Sequence, residues 1–436
     1  MRFLGVTETC DLGALYMRLI AEGHEVRVAV SEEKARGTMA GLVPRTANWE
    51  AELEWIRAAG DQGIILFEAV SEGFGAVQDS LRRDGFAVIG GSAFGDRLEN
   101  DRFYAQGLLA ELGLPVAGTH EFAEAAAADG FLAANPGRYV LKFSGPDFSS
   151  GDNYVGERGD GQDVRAMLFA RLSGRGSQPT RFILMDYLEG IEMGVGAYFD
   201  GERFLSPACL DWEHKRFFAG DMGELTGEMG TVATFDRGGR FFSATLARIA
   251  PLLREHGHVG YVNLNTIVNK DGIWPLEFTC RFGYPGFAVL DPLQRTPWGD
   301  LFAAMASRSH PTFSAAPGFS LGIVLTTPPF PYSRKVIDEP VGLPIFLSQA
   351  LTPDDRRHLH YGEIGLDGDR LVTSGLYGWT MVVTGTGLSI EAARAAAYRR
   401  AKGVSIPNQR YRLDIGQRLI AGDYACLERL GHLSRR

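Results

Sequence analysis

The stretch RFLGVTETCDLGALYMRLIAEGHEVRVAV (2–30) reads as strand, helix, strand. RFLGV (2–6) is a short apolar run. LGALYMRLIAEG (12–23) carries its apolar residues at helical spacing and closes on Gly23. HEVRVAV (24–30) alternates apolar with polar, the period of a strand. The pattern then repeats. WEAELEWIRAAG (49–60) is an amphipathic helix, GIILF (63–67) a continuous apolar run, AVQDSLRRDG (76–85) a helix with a glycine stop, and FAVIG (86–90) a closing strand. Strands and helices alternating at these lengths build βαβ units and a parallel sheet.

Beyond residue 98 the pattern changes. ENDRFYAQGLLAELGLP (99–115) predicts one helix stopped by Gly113 and Pro115, and RYVLKF (138–143) a strand carrying one lysine. The polar loop SGPDFSSGDNYVG (144–156) follows. RFILMDYL (181–188) reads as a strand, and MGVGAYFDGERFL (193–205) as a hairpin turning at Asp200-Gly201. DWEHKRFFAGDMGELTGEMG (211–230) is polar, glycine-rich and irregular. A helix is expected over 240–257, then a strand pair over 261–278 turning at Asp271-Gly272. Short strands dominate from about 318, before a helix over 389–403 and a basic-tinged tail. The expected fold class is therefore α/β and α+β multidomain. Its units are an N-terminal parallel-sheet domain (1–98), a two-lobed α+β centre (99–317) and a small C-terminal α+β lobe (318–436).

Composition bounds the function. Of 436 residues, 45% are apolar and 22% charged, an ordinary globular balance. Lys and Arg number 44 against 53 Asp and Glu, a net charge of −9. That argues against non-specific binding to nucleic acid or an anionic membrane, while leaving room for a local basic pocket. No apolar run approaches the roughly 18–20 residues of a membrane span, and MRFLGVTETCD (1–11) reads as a strand rather than a signal peptide. Cys10, Cys209, Cys280 and Cys426 are far apart and form no CxxC pair. A disulfide scaffold is not expected, and a reducing cytoplasm is.

Three places carry candidate chemistry. Lys142 sits on an apolar strand before a Gly- and Ser-bearing loop, where a cation and backbone N–H groups can meet phosphate oxygens. A snorkelling lysine at a strand end looks the same. His214, Lys215 and Arg216 cluster three potential cations suited to phosphate or carboxylate, or to a solvated basic turn. Gly227 and Gly230 frame a segment able to approach a small ligand closely, or to form a plain loop. Strand alternation puts Glu277, Thr279 and Arg281 on one face, with Asn263 and Asn265 on the preceding strand. A carboxylate, hydroxyl and guanidinium there suit a Mg²⁺–phosphate site or an exposed ion pair.

The order of these features resembles the glycinamide ribonucleotide synthetase (phosphoribosylamine–glycine ligase) family of the ATP-grasp superfamily. EHKRFFAGDMGELTGEMG (213–230) is similar to the family's D-H-K-R…D-G-D…G-P-N-T-G-G-M-G string, and LEFTCRFGYPG (276–286) to its L-E-x-N-x-R-F-G-D-P-E. Weaker likenesses lie at 87–115, MDYLEGIE (185–192), 367–387 and YRLDIG (411–416). The resemblance implies a pre-ATP-grasp domain, an ATP-grasp fold and a closing C-terminal lobe. It implies ATP and Mg²⁺ (or Mn²⁺) as cofactors. Arg102 and Lys142 would meet the phosphates, Met185, Asp186 and Leu188 the adenine, and Glu192 the ribose. Glu277, with Thr279 and Asn265, would hold metal. Arg281, Lys215 and Arg216 would act on the reacting groups, with His214, Gly227, Glu228, Met229 and Gly230 around the substrate.

Departures from the family pattern point to altered substrates. The family opens with a G-x-G-G-R-E-H loop for its phosphoribosyl substrate, whereas this chain has GVTETCDLGAL (5–15). Its G-G-M-G has become Gly227-Glu228-Met229-Gly230, which places a carboxylate in the acceptor region. Its second metal ligand, an Asn, is Thr279. The expected function is an ATP-dependent carboxylate–amine ligase that forms an amide through an acyl phosphate. The alternatives are the purine-pathway ligase itself and a non-catalytic nucleotide-binding module. The expected partners are a small-molecule carboxylate and an amine, not nucleic acid or membrane, for a monomer or homodimer.

Overall fold

The computed structural model describes residues 1–68, 73–143, 152–172, 180–331 and 341–433. The first strands form a five-stranded parallel sheet in the order Arg45–Thr46, Glu25–Val30, Arg2–Thr7, Gly63–Phe67, Ala87–Ile89. Gly63–Phe67 is buried along its whole length, as a strand covered on both faces must be. Its period of two sends Ile64 and Leu66 into one core and Ile65 and Phe67 into another. Gly5 matters here: a Cβ on it would lie 2.5 Å from the Tyr16 ring, so glycine lets the helix Gly13–Ala21 pack tightly on the sheet.

The helix expected over 99–115 is broken. Ala93–Asn100 ends, and Arg102–Glu111 begins under a cap in which the Asp101 carboxylate accepts the Tyr104 N–H at 3.0 Å. The cap puts Arg102 in the first helical turn, facing the centre of the molecule.

A small antiparallel sheet follows, ordered Thr119–Phe122, Phe182–Asp186, Tyr139–Phe143, Tyr154–Val155. The helices Ala125–Ala134 and Gln162–Leu172 cover one of its faces through a core of their own. The loop after Lys142 lies at 144–151, outside the described residues.

The largest sheet has eight antiparallel strands. Their order is Gly272–Thr279, Gly260–Asn269, Ile191–Phe199, Cys209–Glu213, Gly230–Thr234, Phe319–Thr326, Trp379–Gly387, Leu359–Tyr361. The division drawn at 317/318 falls inside this sheet, because Phe319–Thr326 pairs with Gly230–Thr234. The stretch 211–230 is more regular than its composition suggests: it holds Arg216–Phe218 paired with Met222–Leu225, flanked by two strands of the large sheet. The expected helix at 240–257 is three short pieces, interrupted at Thr245 and restarted with a proline in the first turn of Ala250–Glu255. The tail is helical over Tyr424–Leu430. No helix among the described residues is long and apolar enough to cross a membrane.

Candidate active site

The two larger sheets and the small sheet enclose a cavity of about 860 Å³, within the range of small-molecule sites. One row of the large sheet runs in register through this region: Glu277, Asn265, Gly194, Asp211, Ala233, of which Glu277, Asp211 and Ala233 line the cavity. Glycine at 194 leaves room for the Asp211 carboxylate, since a Cβ there would lie 2.2 Å from Asp211 Oδ1. The third wall is the carboxyl edge of the parallel sheet, from which Glu8, Asp11 and Glu32 reach the cavity. Open α/β sheets commonly bind ligands at that edge.

At one end the cavity is apolar and then cationic. Val140, Val155, Met185, Leu188, Ile267 and Leu276 line a slot beside Asp186. Past it, three cations converge on one carboxylate. Arg102 donates to Glu277 Oε2, Lys142 Nζ lies 3.3 Å from the same oxygen, and Lys215 Nζ 3.2 Å from Oε1. Lys142 above all, with Lys215 and Arg102 adding against burial, holds the Glu277 carboxyl well below the usual range. Lys215 is shared further, lying 3.0 Å from Glu192 Oε1 and 3.2 Å from Glu213 Oε2. Burial pulls its ammonium down, but the three carboxylates more than offset that and keep it charged.

Arg281 reaches the same cavity by another route. Its guanidinium donates to Glu99 Oε1 at 2.8 Å, and Glu99 Oε2 accepts the Cys280 N–H at 3.1 Å. Its Nε is buried without a partner among the described residues. Thr279 lines the cavity beside it.

Several expected site residues are tied to their own neighbours, His214 and Arg216 while lining the cavity. His214 is not a cation. Its Nε2 accepts the Gly416 N–H at 3.1 Å, which puts the ring proton on Nδ1, 3.2 Å from the Gly230 carbonyl. Burial, reinforced by Arg412, lowers its pKa to about 4. Arg216 donates to the Gly223 carbonyl at 2.8 Å, across its own hairpin. Asn265 does not offer its oxygen to the cavity: Oδ1 accepts the Thr266 N–H at 3.0 Å, and Nδ2 donates to Glu192 at 2.7 Å. It therefore orients Glu192. Met229 is fully buried against Phe217 and Phe330. Gly230 starts a sheet strand, with a Cβ position only 2.5 Å from the Gly322 carbonyl. Gly227 and Glu228 do line the cavity.

The buried neutral His214 has a consequence for stability. Its folded pKa lies below the ordinary 6.5, so the unfolded chain takes up the proton first and stability falls as pH drops from 6.5 towards 4. At 1.36 kcal/mol per pKa unit the loss is about 3 kcal/mol by pH 4. Urea unfolding of His214→Gln, which keeps an acceptor for Gly416, is expected to show a correspondingly flatter acid limb than wild type. Identical limbs would show that this ring does not set it.

The family model described as phosphoribosylglycinamide synthetase, ATP-grasp (A) domain, matches residues 100–287. A phosphoribosylamine–glycine ligase of Nostoc sp. is 28% identical over 355 residues, covering 79% of this chain and 81% of that protein. One of Pseudomonas syringae pv. tomato is 29% identical over 358 residues, with 79% and 80% covered. The crystal structure of the Thermotoga maritima phosphoribosylamine–glycine ligase superposes with a TM-score of 0.74 at 19% identity, covering 95% of this chain and all of that one. Residues 100–287 thus match an ATP-grasp domain of phosphoribosylglycinamide synthetase, and most of the chain is similar to phosphoribosylamine–glycine ligases.

The apolar slot and the Lys142–Glu277–Lys215 group lie within the residues that the ATP-grasp domain model matches. The fold is wider than the family: the biotin carboxylase domain of a Hydrogenobacter thermophilus 2-oxoglutarate carboxylase has a TM-score of 0.64 at 10% identity. Sequence reasoning missed Asp211, Glu213, Glu99 and Tyr284. The first two had a readable signal, since alternation in CLDWE (209–213) puts Cys209, Asp211 and Glu213 on one face. Glu99 and Tyr284 had none, because their neighbours are remote in sequence.

Proposed function

We propose that this protein joins a carboxylate to an amine at the expense of ATP, releasing ADP and phosphate, with substrates other than phosphoribosylamine and glycine. The observation that carries the reading is the polarity of the cavity. Arg102, Lys142 and Lys215 gather at the end bearing the apolar slot, whereas Glu8, Asp11 and Glu32 line the edge of the parallel sheet.

The residues present fit nucleotide and metal. Among the described residues no group of three or more His, Cys, Asp or Glu is arranged to hold a metal ion by itself. That suits Mg²⁺, which keeps several waters and takes one or two carboxylates together with phosphate oxygens. Glu277 would be its protein anchor, with Glu192 and Thr279 beside it. MgATP would supply the phosphoryl group that turns the carboxylate into an acyl phosphate, from which the attacking amine displaces inorganic phosphate.

The chain's own groups then have distinct tasks. Arg102, Lys142 and Lys215 balance phosphate charge, which a carboxylate nucleophile must approach against repulsion. Glu99 holds the Arg281 guanidinium towards the reacting carbon, where it can stabilise the oxyanion formed as the amine adds. The apolar walls and the overlying strands exclude water from a hydrolysable acyl group. At the opposite edge a phosphate ester would meet Glu8, Asp11 and Glu32, an unfavourable arrangement for phosphoribosylamine. A cytoplasmic location is part of the reading, supported by four free cysteines, three of them buried.

ADP release across a panel of carboxylates and amines tests the proposal. Release is expected with pairs lacking phosphate, and not with phosphoribosylamine plus glycine. Release with that pair alone would make the chain the purine-pathway enzyme. Nucleotide binding with no release under any pairing would remove catalysis altogether.

A further inference from the structure

The cavity holds more carboxyl groups than its cations pair. Lys215 already serves Glu192, Glu213 and Glu277, whereas Asp211 and Glu228 form no ion pair among the described residues. Asp211 and Glu228 are more than nine-tenths buried, and both line the cavity. Asp211 Oδ2 accepts from Asn263 Nδ2 at 2.6 Å, but Asp211 Oδ1 and Glu228 Oε1 are buried with no partner among the described residues. Thr231, opposite Glu213 in the sheet, adds a third unpartnered oxygen, Oγ1. Buried oxygens left unpaired in a concave site mark a missing donor. Burial, together with their mutual repulsion, pushes the Glu228 carboxyl up.

An independent feature closes the same pocket. Tyr284 and Trp379 stack with centroids 5.0 Å apart and planes 15° apart, and both line the cavity. Glu363 fixes the turn that carries Trp379, its carboxylate accepting the backbone N–H groups of residues 376–379 at 2.5–3.0 Å. Aromatic faces beside carboxylates recognise organic cations, and repel phosphates and free carboxylates.

We propose that Asp211, Glu213 and Glu228, backed by the Tyr284–Trp379 pair, bind a second cationic nitrogen, one the substrate carries in addition to the amine or α-amino acid group that reacts. The substrate is then a diamine or a basic amino acid, unphosphorylated. An ammonium presents three N–H donors, matching the unpartnered oxygens of Asp211, Glu228 and Thr231. The inference rests on the ligase reading only in treating this pocket as the substrate end of the cavity.

Calorimetric titration of the full chain tests it without requiring turnover. The probes are putrescine, L-ornithine, glycine and ribose 5-phosphate, each with and without MgADP. Putrescine or L-ornithine is expected to bind at least tenfold more tightly than glycine or ribose 5-phosphate. Glu228→Gln and Asp211→Asn should each weaken that binding at least tenfold, the loss of one charge-assisted hydrogen bond. Binding of putrescine alone assigns the extra cation to the amine substrate, and binding of L-ornithine alone to the amino acid; both support the proposal. Equal binding by wild type and folded variants would overturn it, as would tightest binding of ribose 5-phosphate or no binding of either putrescine or L-ornithine. The ligase reading fails separately: cation binding without ADP release removes catalysis and leaves the pocket. ADP release with singly charged amines alone does the reverse.

Discussion

Replacing Glu277 by glutamine is expected to lower turnover by at least about a thousandfold, a barrier increase of about 4 kcal/mol. The change keeps the shape and removes the charge on which Arg102, Lys142 and Lys215 converge. In the wild type one carboxylate must both separate these cations and anchor the metal. Without it the cations still attract phosphate, so nucleotide binding survives while the advantage conferred by the metal disappears. Titration with ATP in the presence of Mg²⁺ and of chelator separates these effects. Wild type should bind MgATP more tightly than metal-free ATP, and Glu277→Gln should bind the two alike. A variant that keeps the preference for MgATP would move the metal anchor elsewhere. Some stability is lost as well, because removing one partner strands buried charge of a single sign. The side chain is 26% exposed, so solvent screens part of that cost.

Arg281→Ala is expected to behave differently. Its guanidinium belongs to Glu99 rather than to the Glu277 group, so the nucleotide loses little when it goes. The oxyanion formed on the reacting carbon loses a charged donor, and removing one such donor costs about 2.7–4 kcal/mol of barrier. Turnover should therefore fall roughly a hundred- to a thousandfold, with nucleotide affinity changed by no more than a few-fold. Arg281→Lys should recover only part of the rate, since an ammonium lacks the planar fork that meets Glu99 and substrate together. Parallel loss of affinity and turnover in the alanine variant would reduce Arg281 to a nucleotide contact.

The two variants separate what the cavity unites. Arg281 lies four residues after Glu277, just past the end of the strand Gly272–Thr279, yet the two are held by unlike partners. Three cations from three different elements hold the first, and the last turn of Ala93–Asn100 holds the second. A ligase of this kind needs both, one to fix phosphate charge and one to meet charge that appears only during reaction.

Local pattern was enough for much of the frame. The βαβ alternation of residues 2–90 specified a parallel sheet, because an apolar run such as GIILF can be satisfied only when both faces are covered. The Asp271-Gly272 turn specified the hairpin that brings Asn265 opposite Glu277. Lys142 was legible as the one charge on an apolar strand. Where local signals failed, a cap or a long-range pairing had intervened. Asp101 split a helix that periodicity had joined, and Phe319–Thr326 entered a sheet whose other strands lie far away in sequence.

Residue type and spacing by themselves thus determined the strands, the turns and the identity of the charged groups, since each depends on neighbours a few positions away. Only the tertiary structure decided which charges meet. Of the adjacent pair His214 and Lys215, the first is sealed against Gly416 as a neutral ring and the second stands among three carboxylates. Both lie in the short link between Cys209–Glu213 and Arg216–Phe218, and which side of that link meets packed backbone depends on segments as remote as Gly416. The same holds for Glu228. Its carboxylate was visible as a departure from a glycine, but its meaning came from Asp211, Thr231, Tyr284 and Trp379, brought around it by four different segments of the chain.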